Sequence, residues 1–373
     1  QWILTKDSYC PKFNEKKLNR FYVNTFDKYC GWDRKPKSSG FEILKDDQKN
    51  KFIINSGGYR GAIKSSNAKI SVFGDSFAFC RYVKDSQTWE SFLEKKIKSR
   101  VLNYGVGNFG IDQSFFKYKK FEKKINSKII IVNVVPETIT RIISGWRHFS
   151  EFGNIYSFKP YFELKKKKII FKKNPIQKNY KIKKINAVIK LLMKKDFMFN
   201  YRFKKNVFEN FFIITFFQNF KKYSKIFLSL SLFKIFKIFS IKSTDYFYNR
   251  SLGVIINSNI KESHKLYNNN YCSTLLKKII QKFQADVEKK GKIFILVISP
   301  QIYDIKERST AMFYKNFFNQ LKKNINILDL SEKMPDNFED FYFDDKYGGH
   351  LNIKGNLYIS KEISKYLKNS KFL

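Results

Sequence analysis

The chain has 373 residues, 43% of them hydrophobic, enough for one large domain or two ordinary ones around a real core, which excludes a disordered polymer. Its formal net charge of +41 would suit a nucleic acid or an anionic membrane. However, the excess is mostly lysine, spread along the chain beside abundant Phe, Ile, Asn and Tyr, as an AT-rich coding sequence would produce, so no dedicated nucleic-acid role is read from it.

Cys10, Cys30, Cys80 and Cys272 have no close paired spacing. No zinc site is expected, and a Cys10–Cys30 disulfide is an open option that nothing demands. No uninterrupted run reaches the roughly 18 apolar residues that a membrane span needs. The nearest, "KIFLSLSLFKIFKIF" at 225–239, is broken by lysines. The compartment stays open, with cytoplasmic or membrane-peripheral as the working expectation.

In chain order, residues 1–66 are a mixed polar extension in which "CGWDRKPKSSG" (30–40) reads as loop, "KFIIN" (51–55) as a short strand and "SGGYRG" (56–61) as a turn. From 67 to 156 the pattern becomes strand–helix alternation. "KISVF" is a buried strand ending at Gly74. "SQTWESFLEKKIKS" sets Trp89, Phe92, Leu93 and Ile97 on one helical face with Ser86 as cap. "RVLNYGV", "IDQSFFKYKKFEKKI" and "KIIIVNVV" predict a strand, a helix and a strand.

Residues 157–272 break the alternation. "KPYFELKKKKIIFKKNP" reads as a hairpin around a lysine turn, and a Lys/Phe-rich helical insertion follows. Its apolar 207–239 portion is read first as helical core, with a membrane-surface helix as the alternative. His264 reads as a solvated residue. The alternation resumes over 273–373. "TLLKKIIQKFQADVEKKG" carries one apolar stripe and Gly291 at its end, "KIFILVISP" and "INILDL" are strands, and "IKGNLYISKEISKYLKN" is a closing helix. Five continuous apolar strands between helices predict a flavodoxin-like parallel sheet inside a three-layer α/β/α sandwich, with ligands at the carboxyl ends of the strands.

Three loops converge at that edge by topology: Gly74-Asp75-Ser76, "NYGVGNFG" (103–110) and "VPETITR" (135–141). The chain has three histidines, and His350 stands in "DDKYGGHLNIKGN", just before the last helix. A serine after the first strand and a histidine before the last helix can meet across the top of the sheet as nucleophile and general base. Asp345, with Asp344 in reserve, lies close enough in sequence to orient the imidazole. A Gly-Asp-Ser triplet is also a common turn, and a loop histidine is also a backbone partner, so each residue has a plain structural reading beside the chemical one. Asp75, Arg141, Trp146 and His148 are candidate substrate-binding residues. Arg141 and Trp146 read equally as a helix-end cap and a core residue.

Gly74-Asp75-Ser76-Phe77, "NYGVGNFGIDQ" (103–113) and "HLNIKGN" (350–356) together resemble the blocks of the SGNH hydrolases, the GDSL-type esterases. "GYRG" (58–61) and "PYFEL…IIF…NP" (160–175) are similar to a bacterial subgroup tied to surface-polysaccharide modification. The resemblance covers roughly 50–155 and 274–368. It implies that Ser76 is the nucleophile and that backbone N–H groups of Ser76 and of Asn108, or its neighbours Gly107 and Gly110, form the oxyanion hole. It further implies a substrate bearing a short acyl group, acetyl foremost, on a carbohydrate, and no metal or organic cofactor. The chain departs from the pattern twice. The third block, "VNVVPETITR", lacks the usual oxyanion asparagine, with Asn133 still inside the strand. The position three before His350 is Tyr347 rather than an acid. These departures keep a second reading, a binding or scaffold protein on the same sheet, and the basic charge keeps a third, a basic peripheral binder of membrane surfaces, through 207–239, or of nucleic acid.

Overall fold

The computed structural model describes residues 11–44, 48–63, 67–151, 153–201, 212–239, 244–343 and 349–373. Cys10, Asp344 and Asp345 lie outside them. The N-terminal extension holds helix α1 (Glu15–Asn24), capped by the Asn14 side chain, and an antiparallel hairpin of β1 (Ser38–Ile43) and β2 (Lys49–Ile54). Part of the segment expected to be loop is therefore strand. The local Lys-Pro and Ser-Ser-Gly signals favour a turn, but β2 supplies the partner, and Gly40 lies under the Phe52 ring, where a side chain would collide.

The core then runs β3 (Ala68–Gly74), α2 (Trp89–Ile97), β4 (Arg100–Asn103), α3 (Ile111–Phe121) and β5 (Ile129–Val134). Helix α2 starts two residues later than Ser86 implies. Its cap is Thr88, whose hydroxyl accepts from Ser91 N, because 85–87 form a separate tight turn. A hairpin follows, β6 (Tyr161–Lys165) and β7 (Lys168–Lys172), with Lys166 and Lys167 at φ 46° and 62° in its turn. The insertion contributes α4 (Ile182–Lys195), α5 (Phe220–Ile238) and α6 (Thr244–Lys265). The chain re-enters the core through α7 (Asn270–Glu288), β8 (Ile293–Ile298), α8 (Arg308–Leu321), β9 (Asn326–Asp329) and α9 (Ile353–Asn369).

The five core strands are parallel and ordered β4-β3-β5-β8-β9. Numbered along the chain, this is the 2-1-3-4-5 order of flavodoxin-like sheets. Both faces are covered, so the strands are apolar on both sides. Phe73, Ile130, Val132, Phe294 and Leu296 pack with residues of α3, α7 and α8. Ile70, Val72, Ile131, Ile295 and Val297 pack with residues of α2 and α9. Each such side chain, taken out of water, contributes about 1.5–3 kcal/mol before entropy is counted. The strand order reverses between β3 and β5, so the loops after these two strands open a crevice at the sheet's carboxyl edge.

Buried polar contacts tie the insertion to the core, two groups of them around His264 and Asp196. His264, expected in solvent, is fully buried on α6. Its Nε2 lies 2.7 Å from Asp304 Oδ1 and its Nδ1 lies 3.0 Å from Thr310 Oγ1. The polar residues around it in sequence conceal this, because its partners come from 40 and 46 residues away. At the end of α4, the Asp196 carboxylate accepts from Ser144 Oγ and from the amides of Gly145 and Phe199. Burial outweighs these bonds and pushes the carboxyl up to about 6.

The folded chain thus holds this proton where the unfolded chain has lost it. The stabilisation is complete below the unfolded carboxyl's range near 3.9 and is lost as pH rises through about 6. Relative to Asp196→Asn, the wild type is expected to gain about 2–3 kcal/mol between pH 7.5 and pH 4 in urea unfolding. A difference that stays constant across that range would refute the assignment.

Candidate active site

Strand β3 ends at a glycine for a steric reason. A Cβ at Gly74 would run into the Asn133 carbonyl oxygen and into Ala78. Asp75 then caps the one-turn helix Ser76–Phe79, its Oδ1 accepting from Phe77 N at 2.9 Å. Its Oδ2 accepts from Val135 N at 3.1 Å and from Arg141 Nη1 at 3.2 Å. Asp75 is therefore buried, with both oxygens engaged, and does not line the cavity described below. The expectation that it meets substrate is corrected: it is a strut between the ends of β3 and β5. Burial raises its carboxyl, and the Arg141 guanidinium opposes that rise.

The Ser76 hydroxyl meets the imidazole of His350, with Oγ 2.9 Å from Nε2 across 274 residues of sequence. With the ring proton on Nδ1, the hydroxyl donates to Nε2. The imidazole stacks on Phe77 at a centroid distance of 5.3 Å and meets the edge of Tyr82 at 5.5 Å. The residues after it explain why the motif reads His-Leu-Asn-x-x-Gly-Asn. Asn352 caps α9 by accepting from Gly355 N at 3.0 Å. Gly355 has no Cβ because the Phe341 carbonyl and Leu351 occupy that space. Asn356 Oδ1 accepts from Trp89 N at 3.2 Å, and Trp89 Nε1 donates to Phe77 O at 3.2 Å. The circuit closes from the histidine loop back to the serine turn. On the other side, Phe343 N donates to His350 O at 2.7 Å. Asp345 and Asp344, the expected orienting acids, fall in 344–348, outside the described residues.

Ser76 and His350 face a cavity of about 720 Å³. Gly107, Asn108, Glu137, Arg141 and Gln301 stand around them, and Arg34, Glu42 and Arg81 form a charged flank. The aliphatic part of the wall belongs to the insertion, with Leu252, Ile255, Ile256 and Ile260 of α6.

The 103–110 loop is shaped by three residues. Asn103 donates to Ala78 O at 2.7 Å and accepts from Gly105 N at 2.9 Å. A Cβ at Gly105 would strike the backbone of Ala78 and Phe79. Asn108 sits at φ 69°, its Oδ1 accepting from Arg147 Nε and Nη2 at 3.2 and 2.9 Å. Among the described residues no protein acceptor takes the main-chain N–H of Gly107 or Asn108. The Gly110 amide, by contrast, donates to Gln113 Oε1 at 3.1 Å and is committed to the start of α3. Asn133 is in β5 and fully buried, donating to Ser299 Oγ at 2.9 Å.

Of the other candidates, Arg141 lines the cavity while bound to Asp75, Phe109 O and Glu137. Trp146 and His148 do not line it. Trp146 is fully buried, stacked on Phe158 at 5.1 Å, and donates to Ile155 O. His148 is buried against Trp146, its Nδ1 accepting from Gly153 N. The residue between them, Arg147, is buried too and does not line the cavity, but it holds the side chain of Asn108, which does.

Sequence reasoning also passed over Arg60. This buried guanidinium binds the carbonyls of Phe79, Cys80 and Val83 and pairs with Asp85 at 2.7 Å, so it fixes the chain leaving the serine turn. "GYRG" was its only signal.

No protein-family model and no curated protein matches the chain. Among solved structures it is similar to a G-D-S-L family protein from Desulfitobacterium hafniense, at 12% identity over 81% of this chain and 100% of that one, with a TM-score of 0.36. It is also similar to a member of the lipolytic protein G-D-S-L family from Veillonella parvula, at 11% identity over 79% of this chain and 96% of that one, again with a TM-score of 0.36.

Proposed function

We propose that the chain is a serine esterase acting on a short acyl ester, acetyl foremost, carried by a carbohydrate. The observation that carries this reading is the 2.9 Å contact between Ser76 Oγ and His350 Nε2 at the wall of a large cavity. A serine hydroxyl is a weak nucleophile until a positioned base takes its proton.

In the proposed cycle, Ser76 Oγ attacks the ester carbonyl as its proton passes to His350 Nε2. The resulting oxyanion is held by the main-chain N–H groups of Ser76, Gly107 and Asn108, with Arg147 fixing the Asn108 side chain. Collapse breaks the bond to the sugar oxygen, which leaves with the proton from His350. Water then attacks the acyl-enzyme and gives a proton to Nε2. Release of the acid returns that proton to Ser76. Asp345, with Asp344 in reserve, orients Nδ1 and stabilises the imidazolium. Delivered to a second sugar hydroxyl instead of water, the same acyl-enzyme gives a transferase. Water exclusion around the acyl-enzyme decides between the two outcomes.

The test is exposure of the folded chain to a fluorophosphonate probe followed by peptide mass mapping. A single adduct on Ser76 is expected. An unlabelled Ser76 in well-folded protein would leave the fold as a binding scaffold.

A further inference from the structure

Helix α5 is apolar on both of its faces, and among the described residues only one is buried. Tyr223, Ile226 and Ser229 are buried, and α5 packs along α6. On the opposite side Phe220, Phe227, Leu228, Ile235, Ile238 and, just past the helix end, Phe239 stand exposed, Ile238 at 78% and Phe239 at 70%. At about 100° per residue, the first five of these fall within roughly one third of the helix circumference. An apolar helix surface of this extent on a water-exposed element marks an interaction site.

The charges around the stripe name the partner. Lys221 and Lys225 flank it on one side and Lys234 on the other, and no Asp or Glu occurs anywhere from 210 to 244. A second copy of the chain placed face to face would set lysines against lysines with no acid to answer them. A nucleic-acid backbone would leave the phenylalanine and isoleucine side chains in water. A surface that is apolar beneath and negative above satisfies both. Among the described residues no helix is long and apolar enough to cross a membrane, so the arrangement is that of a helix lying in the interface plane.

We infer that the outer face of α5 docks on an anionic lipid bilayer, its large apolar side chains entering the headgroup boundary and its lysines meeting lipid phosphates. This inference is independent of the chemistry at Ser76.

The test is co-sedimentation of the full chain with vesicles of equal parts phosphatidylglycerol and phosphatidylcholine. The wild type is compared with the triple variant Phe227→Ser/Leu228→Ser/Ile238→Ser. These positions are solvent-exposed, so the variant is expected to keep the wild-type far-ultraviolet spectrum. The wild type is expected to pellet with the vesicles, and the variant to lose at least about tenfold in partitioning because the apolar term is gone. Three results would overturn the inference: no partitioning by the wild type; equal partitioning by both proteins, which assigns binding to overall charge; or a wild-type dimer in size-exclusion light scattering that the triple variant converts to monomer, which assigns the face to a second copy.

Discussion

Ser76→Ala is expected to lose p-nitrophenyl acetate hydrolysis by at least about 10³-fold while melting at the wild-type temperature. The hydroxyl contributes only one hydrogen bond to the described structure, the one to His350. An alanine at the first position of the one-turn helix leaves the Asp75 cap and the Arg60 bonds to the following carbonyls in place. His350→Ala is expected to cost a similar factor, and the double variant little more than either alone, because nucleophile and base act as one unit. Additive losses would mean that the two side chains contribute separately, and a wild-type rate in Ser76→Ala would remove that residue from the reaction.

The second large effect lies away from the chemistry. Lys159 and Asp112 form an ion pair that is fully buried, joining the start of the β6–β7 segment to the first turn of α3. Burial draws the Asp112 carboxyl up and the Lys159 ammonium down, and each holds the other charged. Removing one partner strands the other's charge without water. Lys159→Ala is expected to cost about 3–5 kcal/mol in urea unfolding. The double replacement Asp112→Leu/Lys159→Met is expected to recover most of that, since the desolvation penalty disappears with the charges. A single variant within about 1 kcal/mol of wild type would show that the pair is not isolated from solvent. Asp112 follows Gly110 and the Asn108 loop by a few residues, so the same variant is expected to slow hydrolysis as well.

The legible part of the molecule was local. The runs Ile70–Phe73, Ile129–Val134 and Ile293–Ile298 are apolar on both faces, and only a strand buried between helices suits that pattern. With the alternation they implied the sheet, and the sheet implied that Ser76 and His350 share an edge. Tertiary partners were not legible. Nothing near Asp75 in sequence announces that Val135 N and Arg141 will consume its lone pairs, so an acid beside the serine read as substrate-binding. Trp146 and His148 read as site-type residues, yet none of the three lines the cavity; only Arg147 between them bonds a lining residue, Asn108, and spacing alone does not say which of the three does so. His264 looked solvated because Asp304 and Thr310 are invisible from its own neighbourhood. The Phe-rich helix looked like core because hydropathy reports what a residue prefers, not which face finds a partner.

The aliphatic part of the cavity wall comes from α6, whereas the serine, the histidine and the loop amides all belong to the sheet's own connections. On the proposed esterase reading, this aliphatic contribution to substrate discrimination would come from a different stretch of chain from bond cleavage. A graft exchanging residues 244–265 alone would re-tailor what enters without touching what reacts, and drift within that stretch is free to change diet while chemistry stands still.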